Sequence, residues 1–186
     1  MRFLLLLSCC LLLSAPAATA KTVYDVELPE QVTIAGEKLT LNGYGLRKKL
    51  FFKVYLGSLY TSDRATSTSQ VLGLPGHKLI RMNFIYHKVD RDKITDAFAE
   101  GFAKNSPQLN GDANIEKFLR LFQSNFVAGD QVALQLAPDG TVSAIHNSTR
   151  LGSITSKPLS EAVLLIYLGD QPADEDMKAG MLGGNQ

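Results

Sequence analysis

The segment from Leu41 to Tyr60, LNGYGLRKKLFFKVYLGSLY, constrains the fold more than any other part of the chain. Gly43 and Gly45 read as a sharp bend, because glycine reaches backbone angles that other residues avoid. A long strand, Lys49 to Tyr60, is expected to follow. Along it Leu50, Phe52, Val54 and Leu56 alternate with Phe51, Lys53, Tyr55, Gly57 and Leu59, so both faces are largely apolar. A strand of this kind is covered on both sides by protein, or by protein on one side and a ligand on the other. Arg47 stands at the mouth of that environment. A buried unpaired guanidinium is very costly, so Arg47 must meet an anion, a carbonyl or water. It is the first candidate for a ligand contact. The competing and commoner arrangement is a strand-edge arginine with its charge in solvent.

The chain opens with Arg2, an apolar run from Phe3 to Leu13, and Ala18-Thr19-Ala20 before Lys21. These are the three parts of a secretory signal peptide, and the run is too short for a membrane span. The expected organisation is a leader over 1–20 and one domain over 21–186, with a periplasmic or secreted product. Taking 20 from 186 leaves 166 residues, enough for one well-buried core. Both cysteines, Cys9 and Cys10, fall in the leader, so packing rather than disulfides must hold the remainder. Without Arg2, 18 of the 19 basic side chains face 18 acidic ones. That balance argues against nucleic acid as a partner. Arg47, Lys48, Lys49 and Lys53 form a local basic cluster that either steers small anions or is a solvated strand end.

Strands are expected over 23–28, 32–34 and 38–41, then over 78–87, where Ile80, Met82, Phe84 and Tyr86 share one face. A helix opens at Asp90 and repeats Ile94, Ala97, Phe98 and Phe102 at helical spacing until Asn105-Ser106-Pro107. A second opens at Asp112. Strands return over 130–136, 141–145 and 150–154, with Pro138-Asp139-Gly140 as a hairpin turn. A late helix runs from Ser156 to Gly169, and Asp174-Glu175-Asp176 reads as the solvated first turn of a short helix. This order predicts a single α+β domain around an antiparallel sheet.

His77, His87 and His146 stand singly, without metal-site spacing, and no cofactor or metal is expected. There is no phosphate loop, dinucleotide fingerprint or nucleophile elbow. Phe51, Phe52, Tyr55, Phe84 and Tyr86 are either core or the wall of a small-molecule cleft beside Arg47.

Four blocks together resemble the chalcone isomerase-like superfamily, in particular a secreted bacterial branch of non-catalytic type. They are GYGLRKKLFFKVYLGSLY, VDRDKITDAFAEGFAKN, EKFLRLFQSNF followed by APDG, and SKPLSEAVLLIYLGD. The resemblance implies an open-faced β-sandwich, with helices on one face of a large antiparallel sheet and a ligand cleft between them. In the family's enzymes an arginine polarises a chalcone carbonyl during ring closure, aided by hydroxyl and amide groups. Arg47 matches that arginine. Val54, Val89, Asp96 and Ile166 stand where the enzymes carry a threonine, a tyrosine, an asparagine and a hydroxyl residue. Each lost donor typically costs about 2.7–4 kcal/mol of transition-state stabilisation, so efficient cyclisation is not expected.

Non-catalytic relatives bind fatty acids through the same arginine. The resemblance therefore implies a non-enzymatic binder of a small amphipathic carboxylate, with Arg47 as anchor and Val54, Tyr55, Phe84, Tyr86, Val89, Asp96 and Ile166 around the ligand. Two alternatives stand beside it. One is an isomerase or intramolecular lyase using Tyr55, Tyr86 or Tyr44 as substitute donors. The other is a ligand-free structural protein in which Arg47 pairs internally, for example with Asp96.

Overall fold

The computed structural model describes residues 20–184. The expected leader lies outside the described residues except for Ala20, which begins the first strand. A hairpin of β1 (Ala20–Val23) and β2 (Val26–Pro29) turns on Tyr24 and Asp25, both at positive φ. The sequence reading had one strand there. The main sheet uses β3 (Gln31–Ile34), β4 (Glu37–Lys49), β5 (Phe52–Thr61) and β6 (Lys78–Phe84). It continues through β9 (Gln131–Leu136), β10 (Thr141–His146) and β11 (Thr149–Thr155). Between these lie β7 (Lys88–Val89) and β8 (Phe126–Val127), which pair with each other. The helices are α1 (Thr68–Gly73), α2 (Arg91–Asn105), α3 (Ala113–Leu119), α4 (Lys157–Leu168) and α5 (Glu175–Ala179).

The seven strands lie in the order β11-β10-β9-β6-β5-β4-β3, antiparallel throughout. Alternation decides the faces. Tyr55 and Leu59, Ile80 and Met82, Val132 and Leu134 point to the helical layer, where they meet Ile94, Phe98 and Phe102 of α2 and Val163 and Ile166 of α4. On the reverse face Tyr44 and Leu56 pack with Leu28 of the β1–β2 hairpin. This is the α+β open-faced arrangement expected from the sequence. Among the described residues, no helix is long and apolar enough to cross a membrane.

The glycine bend is corrected. Gly43 and Gly45 lie inside β4, neither at positive φ, and the chain reverses instead at Leu50 and Phe51, with Lys49 opposite Phe52. Apolar residues at that tip lack the usual turn chemistry, so the sequence reads on as strand. The glycines serve close packing. A Cβ on Gly45 would sit 2.7 Å from the Met177 carbonyl oxygen, and one on Gly43 would sit 2.6 Å from that of Met181. Gly57, opposite Gly45, leaves room for the Met177 and Met181 side chains. These three residues form a smooth seat for α5 and the turn after it, Gly180–Gly184.

Two boundaries also shift. Strand β6 ends at Phe84, and the next two residues curl so that the Ile85 and Tyr86 N–H groups both donate to the Val54 carbonyl, at 3.0 and 3.2 Å. Asp90 occupies the cap position of α2, but its carboxylate pairs with the Lys88 ammonium (3.5 Å) and makes no cap bond. The Arg91 N–H goes to the Asn125 side chain instead (2.9 Å).

The glycine seat carries a stability prediction. Gly45→Ala forces a methyl group into the α5 backbone and is expected to cost about 1–3 kcal/mol in urea denaturation, the range for overpacking. Gly73→Ala, whose added methyl meets nothing within 4 Å, is expected to be neutral or mildly stabilising. Equal effects from the two substitutions would contradict this account of the seat.

Candidate functional site

A cavity of about 400 Å³ opens between the hairpin end of β4 and β5 and the first turns of α2. Its sheet side is Val54 and Tyr55 of β5 with Met82 of β6. Ile94, Ala97 and Phe98 form the helix side, and Ile166 of α4 and Ala173 contribute from behind. The three α2 residues are spaced to share one helical face, which fixes a continuous apolar wall. Leu50 and Phe52 stand at the opening with Lys49, Lys88, Asp90 and Lys93. The result is an apolar hollow with a mainly cationic rim.

Arg47 lies on β4 opposite Tyr55, and its side chain is 23% exposed. Its Nη1 donates to the Lys48 carbonyl at 3.2 Å and lies 3.8 Å from Oδ2 of Asp174, which is 13% exposed. Asp174 is already committed as the cap of α5. Its Oδ1 accepts the Met177 N–H and its Oδ2 the Lys48 N–H, both at 3.0 Å. A separation of 3.8 Å exceeds hydrogen-bond range. The guanidinium also hydrogen-bonds the Tyr55 phenol. With a nearby counter-charge and two neutral acceptors it still uses only part of its five donors, which leaves N–H groups for a second carboxylate.

The Tyr55 phenol shares this end of the cavity. Burial pushes its pKa up to about 12; the Arg47 charge opposes that rise and Asp174 adds to it. At neutral pH Tyr55 is therefore a hydrogen-bond donor and not a general base. The Tyr167 hydroxyl behind it donates to the Met82 sulfur at 3.2 Å, and burial raises its pKa well above the ordinary phenol value.

Six of the residues singled out in the sequence line this cavity: Arg47, Val54, Tyr55, Tyr86, Val89 and Ile166. Two do not. Phe84 is one layer deeper, with its ring centroid 5.5 Å from that of Tyr55 and stacked on Phe126 at 4.7 Å. Its alternation with Met82 is correct, but the strand ends there and the aromatic side chain completes the core. Asp96 is exposed on another side of α2, near Arg91, Asp92 and Thr95. The internal acid facing Arg47 is Asp174, from the group read as a solvated helix start. Tyr44 packs on the reverse face of the sheet with Leu28 and Leu56 and offers no donor to the cavity.

Sequence reasoning treated Ile94, Ala97 and Phe98 as helix core and missed their part in the wall. It also missed Lys88 and Lys93, which flank the start of α2 and could have been noticed as a pair of cations bracketing an apolar helix face.

The chain belongs to the chalcone isomerase-like family, whose model matches residues 20–183. A curated Arabidopsis thaliana protein named Fatty-acid-binding protein 1 is 23% identical over 108 residues. That match covers 55% of this chain and 39% of the relative, so the chain spans about two fifths of the relative's length. The crystal structure of an Arabidopsis thaliana fatty-acid binding protein superposes with a TM-score of 0.70 at 18% identity, over 89% of this chain and 97% of that one. It shows that the two share a fold.

The Tyr55 environment predicts a late titration. In an ultraviolet titration of tyrosine ionisation, wild type should show a phenol titrating near pH 12 that is absent from Tyr55→Phe. If Tyr55→Phe instead removes an ordinary transition near pH 10, the buried setting described here is wrong.

Proposed function

We propose that this protein is a non-enzymatic binder of a small amphipathic carboxylate, a fatty acid being the simplest case. The carboxylate meets Arg47 and the Tyr55 hydroxyl, and the alkyl chain lies between Val54 and Met82 on one side and Ile94, Ala97 and Phe98 on the other. The observation that carries this reading is a half-buried guanidinium with unused donors at one end of an apolar cavity. The cavity volume falls within the roughly 300–1,000 Å³ of small-molecule sites. The name of the Arabidopsis thaliana fatty-acid-binding protein that it resembles, in sequence and in structure, supports the same ligand class. Release into the periplasm or the medium after cleavage near Ala20 is part of the proposal and rests on the pattern of Arg2, Phe3–Leu13 and Ala18-Thr19-Ala20.

An isomerase reading finds less support. Val54, Val89 and Ile166 place alkyl groups on the cavity wall where the family's enzymes need oriented donors. Tyr55 and Tyr86 remain as the hydroxyls at hand, and neutral Tyr55 can only assist as a donor.

Calorimetric titration with dodecanoate or palmitate tests the binder. A hydrogen bond to a charged group is worth about 1.5–3 kcal/mol. Arg47→Ala should therefore weaken binding by roughly ten- to a hundredfold, with an unchanged circular dichroism spectrum. Binding that is equal in wild type and Arg47→Ala, or absent from wild type, would contradict the proposal. In a parallel absorbance assay, chalcone turnover no faster than buffer is expected.

A further inference from the structure

We infer that the β4–β5 hairpin tip docks on an anionic lipid bilayer and brings the mouth of the cavity to the membrane. This rests on the ligand-binding reading only for its purpose, since the docking surface stands on its own geometry. Leu50, Phe51 and Phe52 are 83%, 98% and 53% exposed, three consecutive large apolar side chains projecting from one turn. Exposed apolar residues scattered singly need no explanation, but a contiguous group at a tip does.

The local backbone makes the exposure more telling. Leu50 has φ of +55°, a conformation that favours glycine, in a two-residue turn that ordinarily takes glycine or asparagine. The chain therefore carries leucine where it strains the turn, and the neighbouring Phe51, almost wholly exposed, returns little to the fold in compensation.

Charge complementarity identifies the occupant. From Arg47 to Lys53 the sequence RKKLFFK holds four cations and no acid. Lys88 and Lys93 lie on the same cavity rim. Asp90, Asp174 and Asp176 offset part of this through Lys88, Arg47 and Lys48, at 3.5, 3.8 and 3.7 Å. Tyr24 adds a further half-exposed aromatic, its ring 4.2 Å from the Lys53 ammonium. Apolar side chains that enter the acyl boundary, ringed by lysines that meet lipid phosphates, are the composition of an interfacial anchor. Leu50 and Phe52 belong both to this tip and to the cavity opening. A docked protein would therefore present its entrance to the bilayer from which an amphipathic carboxylate leaves.

The chain contains no tryptophan, so Phe51→Trp supplies a single reporter at the tip. With vesicles of phosphatidylcholine containing phosphatidylglycerol, and no fatty acid present, its emission should shift to the blue and be quenched by brominated acyl chains. Pure phosphatidylcholine or high salt should reduce the shift. In co-sedimentation with the same vesicles, Phe51→Ser should partition at least tenfold less than wild type. Phe51 makes no part of the cavity wall, so fatty-acid uptake by Phe51→Ser in vesicle-free solution should match wild type.

No shift for Phe51→Trp, or partitioning equal in Phe51→Ser and wild type, would overturn the inference. Equal partitioning is also the result if residues 1–20 alone drive membrane association. Self-association lost in Phe51→Ser, without vesicle binding by wild type, would assign the tip to a second copy and equally overturn it. Vesicle docking without solution uptake would instead leave this inference standing and remove the ligand-binding proposal.

Discussion

The structure turns on how closely the end of the chain approaches the sheet. Gly43, Gly45 and Gly57 remove three side chains from one patch, and the backbone of α5 and its following turn occupies that space. Burying Met177 and Met181 there anchors a segment whose own helix is only five residues long and would not persist alone. Because α5 is seated at this height, its cap Asp174 arrives within 3.8 Å of Arg47 and Ala173 closes the back of the cavity. A larger residue at any of the three positions acts on the site through this geometry without touching a ligand.

Arg47 and Asp174 show why the site tolerates a cation in an apolar setting. A half-buried guanidinium with no counter-charge would be costly in the empty protein. Asp174 reduces that cost, and its own charge is balanced by two backbone N–H groups and the start of α5. Arg47 is held without being saturated. In the proposed function, an incoming carboxylate would add an anion to this preorganised donor, and the apolar wall would receive the rest of the molecule and exclude water around the contact.

Much of this was legible in the sequence where burial alone decides. The alternation of Ile80, Met82 and Phe84 gave the inner face of β6, and the spacing of Ile94, Ala97 and Phe98 gave the buried face of α2. Arg47 stood out because a charge beside so apolar a stretch has few places to go. The reading failed where the cause is tertiary. Gly43 and Gly45 looked like a bend because local sequence cannot distinguish a glycine needed for φ from one needed for clearance. Leu50 and Phe51 hid the true turn because their residue types belong to strands. Asp174 looked solvated, since nothing in a run of three acids tells which one will face a guanidinium more than 120 positions away. Phe84 and Asp96 were misplaced for a related reason, as a site wall depends on where a strand stops and how a helix is rotated.

The central claim is that Arg47 holds the ligand's carboxylate inside the protein. Nuclear magnetic resonance of bound palmitate labelled with carbon-13 at its carboxyl group tests it directly. A carboxylate beside the guanidinium should stay ionised well below the pH at which an ordinary carboxylic acid takes up its proton, and Arg47→Ala should raise its pKa. A bound carboxyl group that titrates as in water, unchanged by Arg47→Ala, would contradict the account.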